Sequence, residues 1–263
     1  MNLGLEGRTA VVTGGSSGIG LATTRALLAE GADVAICGRN AERLERATSL
    51  LGAEFASRRV LAVRCDVTRE ADVAAFARDV AAWRPQVDIL VNNAGEGRMS
   101  TFADTTDEQW RVELDLKFFS QIYPVRAFKP LIEKSDAAAI LAVNSLLALQ
   151  PEPYMVCTSA ARAGIQSLVK SLSKEFAPKI RVNSVLLGLI DSGQWERRFQ
   201  SRPDKTQSRT QWMAELAAGK HIPMGRLGDP AEVARAIVFL VSPAASFITG
   251  ATLEISGGVS RHI

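Results

Sequence analysis

A chain of 263 residues, 47% of them hydrophobic and 22% charged, is long enough to bury one large core, and a single α/β domain of this size is ordinary. Its 31 basic and 28 acidic residues leave a net charge of +3 with no block of like charge, which argues against a nucleic-acid or membrane-surface partner. Residues 1–6 lack a basic region leading into an apolar core, and no run approaches the about 18 apolar residues of a membrane-spanning helix, so a cytoplasmic location is expected.

The first predicted strand, residues 9–12, runs directly into Thr-Gly-Gly-Ser-Ser-Gly-Ile-Gly at 13–20. A buried strand that ends in glycines lets the backbone approach a pyrophosphate, and a helix opening near Gly18 points its free N–H groups and positive dipole end at the anion. The spacing is GxxxGxG, carried by Gly14, Gly18 and Gly20, rather than the GxGxxG of the general dinucleotide fingerprint. Taken alone, three glycines near a helix start can equally make no more than a tight turn.

Strand-length apolar runs recur at 34–37, 61–63, 89–91, 139–143, 182–187 and 252–255, with helical periodicity between them. Seven strands alternating with helices predict a Rossmann-like, doubly wound parallel α/β sheet in a single domain spanning 1–263. The continuous apolar character of the runs is what strands covered on both faces require. Cys37, Cys65 and Cys157 are an odd set without CxxC spacing, which argues against structural disulfides and a zinc site, and no metal is expected. Cys157 reads either as a nucleophile or as a small buried hydrophobe. A long helix is predicted over 107–134. Another begins at Asp229-Pro230-Ala231-Glu232, where aspartate caps and proline fits the first turn, and runs to about Val241. The one irregular stretch is 191–220, polar but carrying Trp195, Phe199, Trp212 and Met213. Ligands of doubly wound sheets sit outside the carboxyl ends of the strands, so this stretch is expected to be a substrate lid. Its aromatics pack either on the body of the protein or on a partner subunit.

With Asn92-Asn93-Ala94-Gly95 after the fourth strand, the glycine-rich turn resembles the short-chain dehydrogenase/reductase family. The resemblance runs from about residue 5 to 258, and 181–184, 223–230 and 248–250 look like further landmarks. It implies a cofactor site made of Gly14, Ser16, Ser17, Gly18, Ile19 and Gly20 in the turn, and of Asp66 and Val67 at the adenine ring. Asn93, Ala94 and Gly95, in the loop along the adenosine ribose, and Gly188 and Ile190 after the sixth strand complete it. Two landmarks depart from the pattern: Leu187-Gly188 stands for a proline-glycine pair, and Ser256 for an aspartate before the final Gly-Gly. At the end of the second strand Arg39 follows Gly38, where a carboxylate would bind both hydroxyls of an NAD ribose. A guanidinium there pairs bidentately with a 2′-phosphate, so NADP is favoured over NAD. The alternative is a solvated Arg39 beside Asn40, the start of the next helix.

The resemblance also exposes a gap. In this family a serine follows the fifth strand, with a tyrosine thirteen residues later and a lysine four beyond it. Here Ser145 keeps its place while Thr158 and Arg162 occupy the other two, and Lys117 stands where an asparagine of the long helix is expected. A threonine hydroxyl is far less acidic than a phenol of reference pKa about 10, so Thr158 is no direct substitute as an acid. Arg162 can hold the ribose hydroxyls and project charge, but it cannot lose a proton. Tyr154, after Pro151 and Pro153, is either an acid folded into the pocket or an aromatic wall. Lys117 and Arg162 facing the substrate with Ser145 opposite suit an anionic ligand or a developing enolate. A lysine desolvated beside an arginine has its pKa lowered, which makes Lys117 a candidate proton donor near neutral pH. Otherwise Lys117 snorkels to solvent or pairs with Asp115 or Glu113.

The expected activity is that of an NADP-dependent oxidoreductase with a non-standard active site, acting on a small or acyl-type carbonyl or hydroxyl compound that can carry a negative charge. The rival is an inactive NADP-binding family member serving as a sensor or partner subunit. The resemblance further implies a homo-oligomer, a tetramer, paired through the long helices around Lys117 and Arg162 and through the final strand with its preceding helix.

Overall fold

The computed structural model describes residues 2–261. Strand β1 (Thr9–Thr13) leads through the glycine-rich turn into α1 (Gly18–Ala29), followed by β2 (Asp33–Gly38), α2 (Ala41–Glu54), β3 (Val60–Arg64), α3 (Glu70–Trp83) and β4 (Ile89–Asn92). Then come α4 (Asp107–Ile132), β5 (Ala139–Ser145), α5 (Val156–Glu175), β6 (Arg181–Leu187), α6 (Gly193–Gln200), α7 (Arg209–Gly219), α8 (Pro230–Val241) and β7 (Thr252–Ile255). The seven strands are all parallel, in the order β3-β2-β1-β4-β5-β6-β7. Each predicted strand coincides with an element, as do the helices predicted to open near Gly18, beside Asn40, at 107 and at 229, and the Rossmann-like α/β class holds.

Alternation along each strand divides the core into two layers. Val12, Ile36, Val91 and Leu141 face α1 and α8 through Leu27, Leu28, Val233 and Ile237. Their neighbours Val11, Ala35, Leu90 and Ile140 face α3, α4 and α5 through Phe76, Phe128 and Ile165. The Phe76 and Phe128 rings meet edge to face at 5.3 Å. The strand order reverses between β1 and β4, which opens the crevice where doubly wound sheets bind ligands.

Two expectations need correction. Burial on both faces fits the central strands, but β3 is only half buried and β7 exposes Thr252, Leu253 and Glu254. Each lies at an edge of an open sheet. The 191–220 stretch is not irregular, since it contains α6 and α7. Ser208 caps α7 by accepting from Gln211 N, and Arg209 bridges Asp191 and Glu196. The aromatics of the stretch pack largely on one another, Trp195 on Trp212 at 6.1 Å and Phe199 on Trp212 at 5.7 Å. Together with Ala217 of α7, Trp195 and Met213 also join a cluster with Ile222 and Leu227 of the body.

Candidate active site

The turn after β1 is shaped by glycines. Gly14 sits at φ +67°, in the left-handed region that a side chain resists, and a Cβ on Gly20 would lie 2.2 Å from the Gly14 carbonyl oxygen. Asn93 fastens this turn to the next crossover, donating from Nδ2 to the carbonyls of Thr13 and Gly14 at 2.9 and 3.3 Å. In return Thr13 Oγ1 accepts from the backbone N–H groups of Asn93 and Ala94, both at 3.0 Å. Ser17, at the head of α1, makes no side-chain cap, so the first N–H groups of the helix remain available to an anion. Ser16 and Ile19 complete the turn. Arg39 is exposed just beyond β2, and its guanidinium makes no hydrogen bond among the described residues, while Asn40 caps α2 by accepting from Arg43 N at 2.8 Å. Asp66 lies close enough for Arg39 to act on it electrostatically. Burial raises the Asp66 pKa, but hydrogen bonds from the Thr68 N–H and hydroxyl, with Arg39 and Arg69 nearby, hold it below the usual range. Val67 is buried beside it. Gly188 donates to the Ile255 carbonyl, and Ile190 pairs with Gly228, which fixes the exit from β6.

The second half of the site is a buried polar cluster between α4 and α5. Glu113 and Lys117, one turn apart on α4, are both about 2% exposed, and Lys117 Nζ donates to Glu113 Oε1 at 2.7 Å and to the Glu96 carbonyl at 2.6 Å. Thr158, 1% exposed on α5, donates its hydroxyl to the same Glu113 Oε1 and lies 3.3 Å from the Arg98 carbonyl. One turn further on, Arg162 donates from a terminal nitrogen to the Val143 carbonyl at 3.0 Å and to Asn144 Oδ1 at 3.5 Å, while its buried Nε has no partner. Burial and then the Arg162 charge push the Lys117 pKa down, against the upward pull of Glu113. Burial lowers Arg162 to about 10, against the same carboxylate. A cavity of about 280 Å³ opens beneath the 98–105 loop, lined by Ser100, Thr101, Gln109, Glu113, Tyr154 and Cys157 among others.

The structure brings Lys117, Thr158 and Arg162 together, while Tyr154 makes no hydrogen bond to them and instead lines the cavity that Glu113 also lines. Tyr154 precedes α5 rather than lying on it, and its hydroxyl accepts from Lys220 Nζ at 2.8 Å. Ser145 closes β5, its Oγ accepting from Leu147 N at 3.3 Å. Of the two readings of Lys117, escape to solvent is excluded, and Asp115 lies exposed on another face of α4. The pairing with Glu113 and the lowered pKa coexist. All three cysteines are buried and free, Cys157 among them. Sequence reasoning offered Glu113 as a partner of Lys117 but missed that the pair is buried and that Thr158 shares the same carboxylate oxygen. The signal in the sequence is a glutamate four residues before a lysine on a helix, a pair that is usually a solvated surface contact.

An open parallel sheet, a glycine-rich turn at its switch point and a polar cluster on α4 and α5 define a dinucleotide-binding oxidoreductase architecture. The chain belongs to the short-chain dehydrogenase/reductase family. A family model described as enoyl-(acyl carrier protein) reductase matches residues 14–260. The 3-oxoacyl-(acyl-carrier-protein) reductase of Chlamydia trachomatis is 34% identical over 97% of this chain and 98% of that protein. Among solved structures, a short chain oxidoreductase from Pseudomonas aeruginosa PAO1, described as containing an atypical catalytic center, is 56% identical. It covers 97% of this chain and 98% of its own, with TM-scores of 0.94 without ligand and 0.93 with NADPH bound. The L-sorbose reductase of Gluconobacter frateurii, complexed with NADPH and L-sorbose, is 31% identical over the full length of both chains, with a TM-score of 0.95.

Proposed function

We propose that this chain is an NADPH-dependent carbonyl reductase in which Lys117 is the proton source and the usual tyrosine has no counterpart. The residues present fit the cofactor: a side chain at Gly20 would collide with the Gly14 carbonyl and deform the turn, the head of α1 is uncapped, and Arg39 is unpaired where a 2′-phosphate would lie. The NADPH held by the Pseudomonas and Gluconobacter relatives supports the same choice. When bound, NADPH supplies the hydride. Arg162 holds the ribose side of the site, Ser145 orients the carbonyl oxygen, and the two buried cations offset the charge that grows on that oxygen.

The observation that carries this reading is the Lys117 ammonium, buried, lowered in pKa and joined through one carboxylate oxygen to Thr158 at the tyrosine position. The substrate is a small or acyl-type carbonyl compound. NADPH oxidation measured with L-sorbose, acetoacetyl coenzyme A, a 2-oxo acid and simple ketones tests it. Turnover of at least one is expected. Micromolar NADPH binding without turnover of any would replace this reading with that of a cofactor sensor or partner subunit.

A further inference from the structure

We propose that Glu113 conducts the proton of this reaction, joining the cavity beneath the 98–105 loop to Thr158 and so to the substrate. The inference rests on the reductase reading above. Three observations meet at this side chain. Glu113 Oε1 accepts from the Lys117 ammonium and the Thr158 hydroxyl together. The same carboxylate lines the cavity of about 280 Å³. The cavity also presents the hydroxyls of Ser100, Thr101, Thr105 and Tyr154, the amide of Gln109 and the charged Arg98 and Asp104. A space of that size holds several waters, each occupying about 30 Å³ in the liquid, and the hydroxyls give them partners.

A buried ion pair that served only the fold would need the lysine alone. The hydroxyl on the same oxygen gives the pair an outlet. A free threonine hydroxyl does not release its proton near neutral pH, but one hydrogen-bonded into a carboxylate and ammonium chain can pass a proton on while it receives another. The hydride joins the carbonyl carbon, the carbonyl π pair moves to the oxygen, and the Thr158 hydroxyl, turned from Glu113 toward that oxygen, gives it its proton. Thr158 recovers a proton through Glu113 Oε1 from Lys117 Nζ. The neutral amine is then recharged from solvent through the cavity and Glu113. One carbonyl, one NADPH and one proton become one alcohol and one NADP. Glu113 acts through Thr158 and is therefore a relay and positioning residue.

The test uses the full-length protein with NADPH and whichever of the four probe classes it reduces fastest. Glu113→Gln still accepts hydrogen bonds but cannot carry a proton. It is expected to lower kcat by about a hundredfold, with NADPH affinity by fluorescence titration unchanged and a larger solvent deuterium isotope effect. Glu113→Ala is expected to regain turnover on addition of formate, which fits the enlarged cavity, whereas the wild type gains nothing. If Glu113→Gln fails to fold by circular dichroism, Glu113→Asp keeps a proton-carrying group and is expected to retain the wild-type pH profile at reduced kcat. Thr158→Val is expected to be as damaged as Glu113→Gln, with Thr158→Ser close to wild type. A Glu113→Gln enzyme within about threefold of wild type, or a Glu113→Ala enzyme indifferent to formate, overturns the relay while the reductase reading stands. A wild type that reduces none of the probes overturns both.

Discussion

Lys117 sits under opposing influences, burial and Arg162 pressing its pKa down while Glu113 pulls it up. Only the protonated amine can give up a proton. Turnover is therefore expected to stay level on the acid side of the depressed pKa and to fall as pH rises through it, with a midpoint below the 10.5 of an ordinary lysine. Lys117→Met is expected to remove that alkaline limb and about a hundredfold of kcat, and a limb centred at or above the ordinary value would remove Lys117 from the role. At the other end of the site, Arg39→Ala is expected to weaken NADPH binding about tenfold, about 1.4 kcal/mol, and to leave NADH binding nearly unchanged. Fluorescence titration with both nucleotides measures this, and an alanine variant that kept its preference would refute the 2′-phosphate contact. Arg39, Lys117 and Arg162 were legible in the sequence because each occupies a motif position. Glu113 was legible only as an ordinary partner of Lys117, because its depth on α4 is what matters, and a polar face that points inward looks in one dimension like a polar face that points out.

Helix α8 shows how local signals set an element. Asp229 caps it by accepting from Ala231 N at 2.7 Å, Pro230 fills the first turn, and Glu232 reaches back to Asp229 N at 2.7 Å. Removing the cap with Asp229→Ala is expected to cost about 1 kcal/mol. For a domain of this size that lowers Tm by about 2–4 °C in a melting scan, and an unchanged Tm would show that packing alone fixes the helix start. Hydrogen bonds from Arg226 and then from Asp229 N lower the Glu232 carboxyl to about 2. A carboxyl depressed in the folded state lends stability above its ordinary 4.5 and loses it as pH falls toward about 2, so Glu232→Gln is expected to flatten that part of the Tm–pH curve. The same capping logic explains what the sequence concealed. The Ser208…Gln211 box that starts α7 was present to be read, but α6 has no buried residue and an apolar face of only Trp195 and Phe199, four apart, which is too short for periodicity to announce a helix. The edge character of β3 and β7 was equally hidden, because strand order is a long-range property that an apolar run does not encode.

At the scale of the whole molecule, apolar side chains remain uncovered on the faces that the family resemblance marks for pairing. Val112 and Leu114 stand out from α4, while Leu253 on β7 and Phe247 just before it are exposed, Phe247 completely. A homotetramer built on two-fold axes through these faces is expected, and light scattering that reports only monomer at micromolar concentration would defeat it. Within one subunit, residues 93–96 span the two halves of the site. Asn93 grips the carbonyls of Thr13 and Gly14, and three residues later the Glu96 carbonyl takes a hydrogen bond from Lys117. A nucleotide settling on the turn and a proton residing on the lysine thus pull on one short tether. Thermodynamic linkage makes such an influence mutual: if occupancy of the turn shifts the protonation of Lys117, the pH shifts nucleotide affinity by the same amount. Calorimetric titration of NADPH in two buffers of unlike ionisation heat is expected to register that exchange as a net uptake or release of protons, and Lys117→Met to abolish it.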